Sequence, residues 1–269
     1  MTFKAVIFDI GGVVVASPLF AINRYEEEHG LPFQYLNVAI TAQGHGGAFQ
    51  KFERSELDIY TFYRQFGEEL SNVEKNNEAY TKFCKSRGQE VPKLPTKLHV
   101  DGRDLFGRMM RQSTQVDPRM RTAITRLKAS GKFKIAALTN NFAPPTQVAG
   151  GAQGKAAKAP SLDEELEHLG LGNSQNDLRK MFDLYIESAV VGLRKPDPEF
   201  YKHALDLLKV QASDVVFLDD IGPNLKAAQK LGITTIRVNS TDCAPALAEL
   251  AKLTGVQVLD ADAKRAAKL

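Results

Sequence analysis

Cysteine is scarce in this chain. Only Cys84 and Cys243 occur among its 269 residues, far apart and outside any CxxC spacing. That argues against a disulfide scaffold or a zinc site and for a reducing compartment. Charge imbalance is slight too. A formal net charge of +3, with no dense basic block, gives no hold on nucleic acid or on a membrane surface. No apolar run approaches the roughly 20 residues of a spanning helix. The N-terminus enters a strand with no signal-peptide pattern, and no internal repeat is visible. A soluble intracellular protein is expected. What is present is an ordinary globular composition, 43% hydrophobic and 25% charged, enough for one large domain or a domain with an insert. The last residues, Ala267-Lys268-Leu269, are a close variant of the Ser-Lys-Leu peroxisomal address. The expected location is therefore the peroxisome and/or the cytoplasm, with a peroxisomal import receptor as a partner.

The chain is organised around Phe3 to Val15. Ala5-Val6-Ile7-Phe8 and Ile10 suit a strand buried on both faces of a parallel sheet, interrupted by Asp9 and followed by Gly11 and Gly12. Open α/β sheets bind ligands at the carboxyl ends of their strands. A carboxylate there, beside glycines that let backbone N–H groups approach an anion, suggests a nucleophile facing a phosphate. From Ser17 to about Gln115 the spacing is helical (Leu19 to His29, Phe33 to Ala42, Glu56 to Leu70, Val73 to Ser86, Gly102 to Ser113), and Ser55 with Asp58 three residues on reads as a helix start. Strands then recur at Phe133 to Leu138, Phe182 to Ile186, Val215 to Leu218 and Thr234 to Val238, with helices after Asp117-Pro118, Asp197-Pro198, Gly222 and Cys243. The segment 144–160, rich in Gly, Ala, Gln and Lys, reads as a flexible insertion. The expected architecture is a doubly wound parallel α/β sheet formed by 1–16 and 116–269, with a helical insert at 17–115.

Four polar clusters fall at strand ends or beside them: Asp9, Thr139-Asn140, Lys195 and Asp219-Asp220. Each taken alone could be a cap or a solvated loop charge. Together they crowd three carboxylates against one lysine, a formal charge of about −2, and like charges at ~4 Å repel by several kcal/mol. A divalent cation relieves this, and hard carboxylate oxygens select Mg²⁺. On this reading Asp9 attacks phosphorus, Thr139 donates to a phosphate oxygen and Lys195 neutralises both partners.

The set Asp9, Thr139, Lys195 and Asp219/Asp220, in that order, resembles the haloacid dehalogenase superfamily, and the helical insert lies where that family carries a cap. Within it, ESAVVGLRKPDPEFYKHAL and SDVVFLDDIGPNLKAAQKLGITTIRV look like the N-terminal phosphatase domain of soluble epoxide hydrolase and the related domain of acyl-CoA dehydrogenase fusion proteins. The resemblance implies Mg²⁺-dependent hydrolysis of a phosphate ester of a small metabolite or lipid through an aspartyl-phosphate on Asp9. The metal ligands it implies are Asp9, the Gly11 carbonyl and Asp220, with Asp219 behind them and Asn224 near the metal. Gly12 and Asn140 then line the phosphate, and His45 and Arg54 of GHGGAFQKFERSEL face the substrate. Epoxide chemistry is not implied, since no GxSxG elbow occurs.

One position departs from the pattern. Family phosphatases carry a second aspartate two residues after the nucleophile, as acid and base; here it is Gly11. Three explanations stay open: His45 supplies the proton, the leaving group needs none, or the site only binds a phosphate ligand. A 2-haloacid dehalogenase, in which Asp9 attacks without metal, is the alternative enzyme.

Overall fold

The computed structural model describes residues 3–144, 160–171 and 175–259. The insertion expected at 144–160, except for its two end residues, lies outside the described residues, as does the tripeptide Ala267-Lys268-Leu269. Contacts divide the described chain into two compact units. One holds residues of Met1–Ser17, Ser113–Asn141 and Asn173–Leu269, the other those of Pro18–Gln112 and Phe142–Gly172. No helix among the described residues is long and apolar enough to cross a membrane.

The first unit is built on a five-stranded sheet. Its strands are β1 (Ala5–Phe8), β2 (Lys134–Thr139), β3 (Leu184–Glu187), β4 (Val215–Asp219) and β5 (Thr234–Arg237), ordered β3-β2-β1-β4-β5. All four pairings are parallel. Near-continuous apolar runs form these strands because both faces are covered. Every residue of β1 and β4 is buried, and alternate side chains feed opposite layers. Val6, Phe8, Val216 and Leu218 share one core with Met120, Ile124 and Leu127 of helix Pro118–Ala129 and with Leu247 and Leu250 of helix Ala244–Thr254. Ala5, Ile7, Val215 and Phe217 share another with Phe200 and Tyr201 of helix Pro198–Leu208 and Leu225 of helix Gly222–Lys230. Asp117 and Asp197 cap two of these helices, each followed by proline in the first turn. The doubly wound sheet expected from the sequence is thus the fold of this unit. Winding runs β1 to β3 in one direction and resumes at β4 on the other side of β1, so the crevice beside β1 is the switch point where such sheets bind ligands.

The second unit is helical. Its core gathers Tyr35, Phe52, Phe62, Phe66, Leu105 and Phe106, with Phe52 stacked on Phe62 at 4.2 Å between ring centroids. Two expectations are corrected here. Ser55 does not start a helix: it sits at φ 58°, and Asp58 caps Ile59–Ser71 by accepting from the N–H groups of Tyr60 and Thr61. Nor do the described residues of 142–172 pack as part of the sheet-bearing unit. Phe142 stacks on Phe52 at 5.4 Å, and buried Glu165 accepts from Tyr63 Oη at 2.5 Å and from Arg103 Nη2 at 3.0 Å. A carboxylate with no exposure needs such partners, and the helical unit supplies them.

Candidate active site

Strand register brings the polar clusters level. Phe8 lies opposite Ala137 on β2 and Leu218 on β4, so Asp9, Thr139 and Asp219 leave the sheet at one rim. Asp9 stays tied to the sheet, its N–H donating to the Leu218 carbonyl at 2.8 Å. The chain then turns sharply: the N–H groups of Val14 and Val15 both return to the Ile10 carbonyl, at 2.9 Å each.

Lys195 is the hub. Its ammonium, 1% exposed, lies 2.8 Å from Asp9 Oδ1 and 2.8 Å from Asp219 Oδ2. Its backbone is clamped by one side chain: Lys195 N–H donates to Asn140 Oδ1 at 2.8 Å, and Asn140 Nδ2 donates back to the Lys195 carbonyl at 2.9 Å. The Asn140 side chain, expected beside the phosphate, is therefore occupied in placing Lys195. Burial works against the lysine's charge, but Asp219 and Asp9 outweigh it and hold its pKa above the ordinary lysine value. Thr139 closes β2, buried, with its hydroxyl 3.4 Å from the Asn140 carbonyl, a weak contact.

The three carboxylates differ in their partners. Asp219, fully buried, accepts from Lys195 Nζ, from the Ile221 N–H at 2.7 Å and from Asn224 Nδ2 at 3.2 and 3.1 Å. Asn224 thus reaches the cluster through its amide N–H groups, and Tyr201 Oη holds the Asn224 carbonyl at 2.9 Å. Asp9 accepts from Lys195 and from the Ile10 N–H at 2.6 Å. Asp220 Oδ1 is buried with no partner. Burial, followed by the charge of Asp219, pushes the Asp220 carboxyl up to about 7; burial likewise raises Asp9 well above its ordinary value, against the pull of Lys195. Each of the three offers a carboxylate oxygen, and these atoms lie within 4.8 Å of one another. Gly12, at φ +80°, is pressed against the cluster: a Cβ there would fall 2.2 Å from Asp220 Oδ2. Glycine is required on both counts.

A hard-oxygen trio with an orphaned buried acceptor could hold a divalent cation, and the residues present fit Mg²⁺.

Beside the site lies a polar network that strand and helix patterns do not reveal. Glu187, ending β3, accepts from Asn141 Nδ2 and from Arg179 Nη2, both at 2.6 Å, while Ser188 Oγ bridges the Asn141 N–H at 2.9 Å and its carbonyl at 3.1 Å. It fixes the loop after Thr139-Asn140. A carboxylate directly at a strand end was the available signal. His45 and Arg54 belong to the helical unit. His45 is exposed, and its carbonyl accepts from Arg54 Nη2 at 2.9 Å. The Arg54 side chain is buried and pairs with Glu56 at 2.6 Å, while its Nη1 has no partner.

A family profile described as haloacid dehalogenase-like hydrolase matches residues 3–232. The chain is 32% identical over 265 residues to bifunctional epoxide hydrolase 2 of Sus scrofa, covering 98% of this chain but 41% of that protein. It is 26% identical to the sesquiterpene phosphatase astK of Aspergillus oryzae, covering 94% of this chain and 98% of that one. Among solved structures, a HAD family enzyme of Bacteroides thetaiotaomicron in complex with magnesium and inorganic phosphate aligns with TM-score 0.50 at 14% identity, over 89% of this chain and 96% of the other.

Proposed function

This chain belongs to the haloacid dehalogenase-like hydrolases, and from that premise we propose that it is a Mg²⁺-dependent phosphatase acting on monosubstituted phosphates through Asp9. The observation that carries the reading is the unpartnered, buried Asp220 Oδ1 within a trio of carboxylates. Phosphatases among its relatives support it, as does the magnesium and phosphate held by the Bacteroides enzyme.

Asp9, Asp220 and the Gly11 carbonyl would hold the cation, with Asp219 and Asn224 bracing them from behind. When bound, a divalent ion supplies screening between the nucleophile and the phosphate and neutralises charge on the equatorial oxygens. Asp9 then attacks phosphorus with the carboxylate oxygen not engaged by Lys195 and the Ile10 N–H. Lys195 offsets negative charge shared by Asp9 and the phosphate, and its position is set by Asn140 rather than by its own flexible stem. Thr139 Oγ1, weakly bonded in this structure, is free to turn its proton to a phosphate oxygen.

A panel of phosphate esters assayed with Mg²⁺, with Asp9→Asn as the blank, tests the reading. Turnover that needs Mg²⁺ and vanishes in Asp9→Asn is expected. Activity on 2-haloacids that survives excess EDTA would instead favour dehalogenation. Tight phosphate binding with no turnover of any ester would make the protein a binder.

A further inference from the structure

Gly11 separates this chain from a phosphatase with an acid at that position, and a left-handed backbone does not account for it. Gly12 needs its glycine, at φ +80°. Gly11 does not lie in the left-handed region, so conformation alone does not demand glycine there. Asp219 and Asp220 gather with Asp9, and Lys195 bonds to it. Each is committed elsewhere. The Lys195 ammonium is shared between Asp9 and Asp219, and Asp219 accepts from three partner groups. Asp220 is the acceptor left over for a cation. Tyr201, the buried hydroxyl behind the site, donates to Asn224. Among the described residues of the sheet-bearing unit, then, no carboxyl or imidazole beyond Asp219 and Asp220 gathers with Asp9 to protonate a leaving oxygen.

Resting on the phosphatase reading above, we infer that the substrates are phosphates whose leaving oxygen departs as a stable anion: acyl, enol or anomeric phosphates rather than simple alkyl esters. In the first step the Asp9 oxygen forms a bond to phosphorus, and the P–O bond to the leaving group breaks. The leaving oxygen keeps the electron pair and takes no proton. In the second step water bonds to phosphorus, the bond to Asp9 breaks, the aspartate carboxylate is restored, and the protons of water remain on inorganic phosphate or pass to solvent. The second step has no base at position 11 either. With an acidic leaving group it becomes the slow step, and phosphorylated Asp9 accumulates.

Acetyl phosphate and glycerol 3-phosphate, each with Mg²⁺, are the probes. A missing general acid is worth about 10²–10⁴-fold. The wild-type kcat/KM for acetyl phosphate is therefore expected to exceed that for glycerol 3-phosphate by at least about 100-fold beyond the ratio shown by a family phosphatase that keeps an acid at this position. Intact-mass spectra of the acid-quenched wild-type protein should carry a phosphoryl adduct. In Gly11→Asp the substrate ratio should collapse toward that of the reference enzyme and the adduct should disappear. Equal preference in the wild type and the reference enzyme, or no adduct while acetyl phosphate is being consumed, overturns the inference yet leaves the phosphatase reading standing. No turnover and no adduct with either donor overturns both.

Discussion

Replacing Asp220 by asparagine should stabilise the metal-free protein. The carboxyl is raised from 3.8 to about 7, first by burial and then by the charge of Asp219. The sign follows from linkage. Between about pH 4 and 7 the folded chain keeps a proton that the unfolded chain has released, so this group's contribution to stability falls as pH rises through that window and levels off above it. At about 1.4 kcal/mol per pH unit, ionised Asp220 opposes folding at pH 8 by about 4 kcal/mol. Asparagine removes the charge but still buries a polar group at the position of the orphaned Oδ1, which costs about 1–3 kcal/mol. A net gain of about 1–3 kcal/mol is left at pH 8, while at pH 4, where the wild-type carboxyl keeps its proton, the amide's cost stands alone and the variant should be the less stable by about 1–3 kcal/mol. Urea denaturation at both pH values, in EDTA and again in excess MgCl₂, measures it. Mg²⁺ should stabilise the wild type at pH 8, less at pH 4 where protons compete for the site, and the variant hardly at all. An Asp220→Asn protein no more stable than wild type in EDTA at pH 8, or one that Mg²⁺ stabilises equally, refutes the claim that this carboxylate awaits a cation.

Gly12→Ala forces a methyl group onto Asp220 Oδ2 at a backbone angle of +80°; a loss of at least about 1 kcal/mol in urea melts, together with weaker Mg²⁺ binding by calorimetry, is expected. Lys195→Met leaves Asp9 and Asp219 facing each other without a counter-charge, which should cost about 3–5 kcal/mol at pH 7 and less in acid, where Asp9, its carboxyl already raised by burial, takes up a proton; equal loss at both pH values would contradict the ion-pair account. Asn140→Ala frees the backbone of Lys195 and should lower kcat more than it raises KM in steady-state assays; an unchanged kcat would remove Asn140 from the positioning role. In the helical unit, Tyr63→Phe strips a donor from fully buried Glu165 and should cost about 1–3 kcal/mol, read from a thermal melt of the intact protein.

Much of this was legible from residue order. The runs Ala5 to Phe8 and Val215 to Leu218 are apolar at consecutive positions, a pattern that only a strand covered on both faces tolerates. Prolines after Asp117 and Asp197 marked helix starts for the same local reason. Ser55 misled because its spacing to Asp58 mimics a cap, whereas the cap is chosen by which side chain reaches free N–H groups in three dimensions. The membership of 142–172 was invisible for a related reason: Phe142 and Glu165 find their partners, Phe52, Tyr63 and Arg103, far away along the chain.

Residue order alone determined the doubly wound sheet and the four polar clusters at its carboxyl rim, because strand periodicity and strand ends are local properties. Tertiary structure decided what each polar group does: that Asn140 holds Lys195, that Asn224 holds Asp219, and that Asp220 keeps an oxygen with no partner. Those assignments depend on distances of about 3 Å between side chains remote in sequence, and only the folded sheet sets such distances.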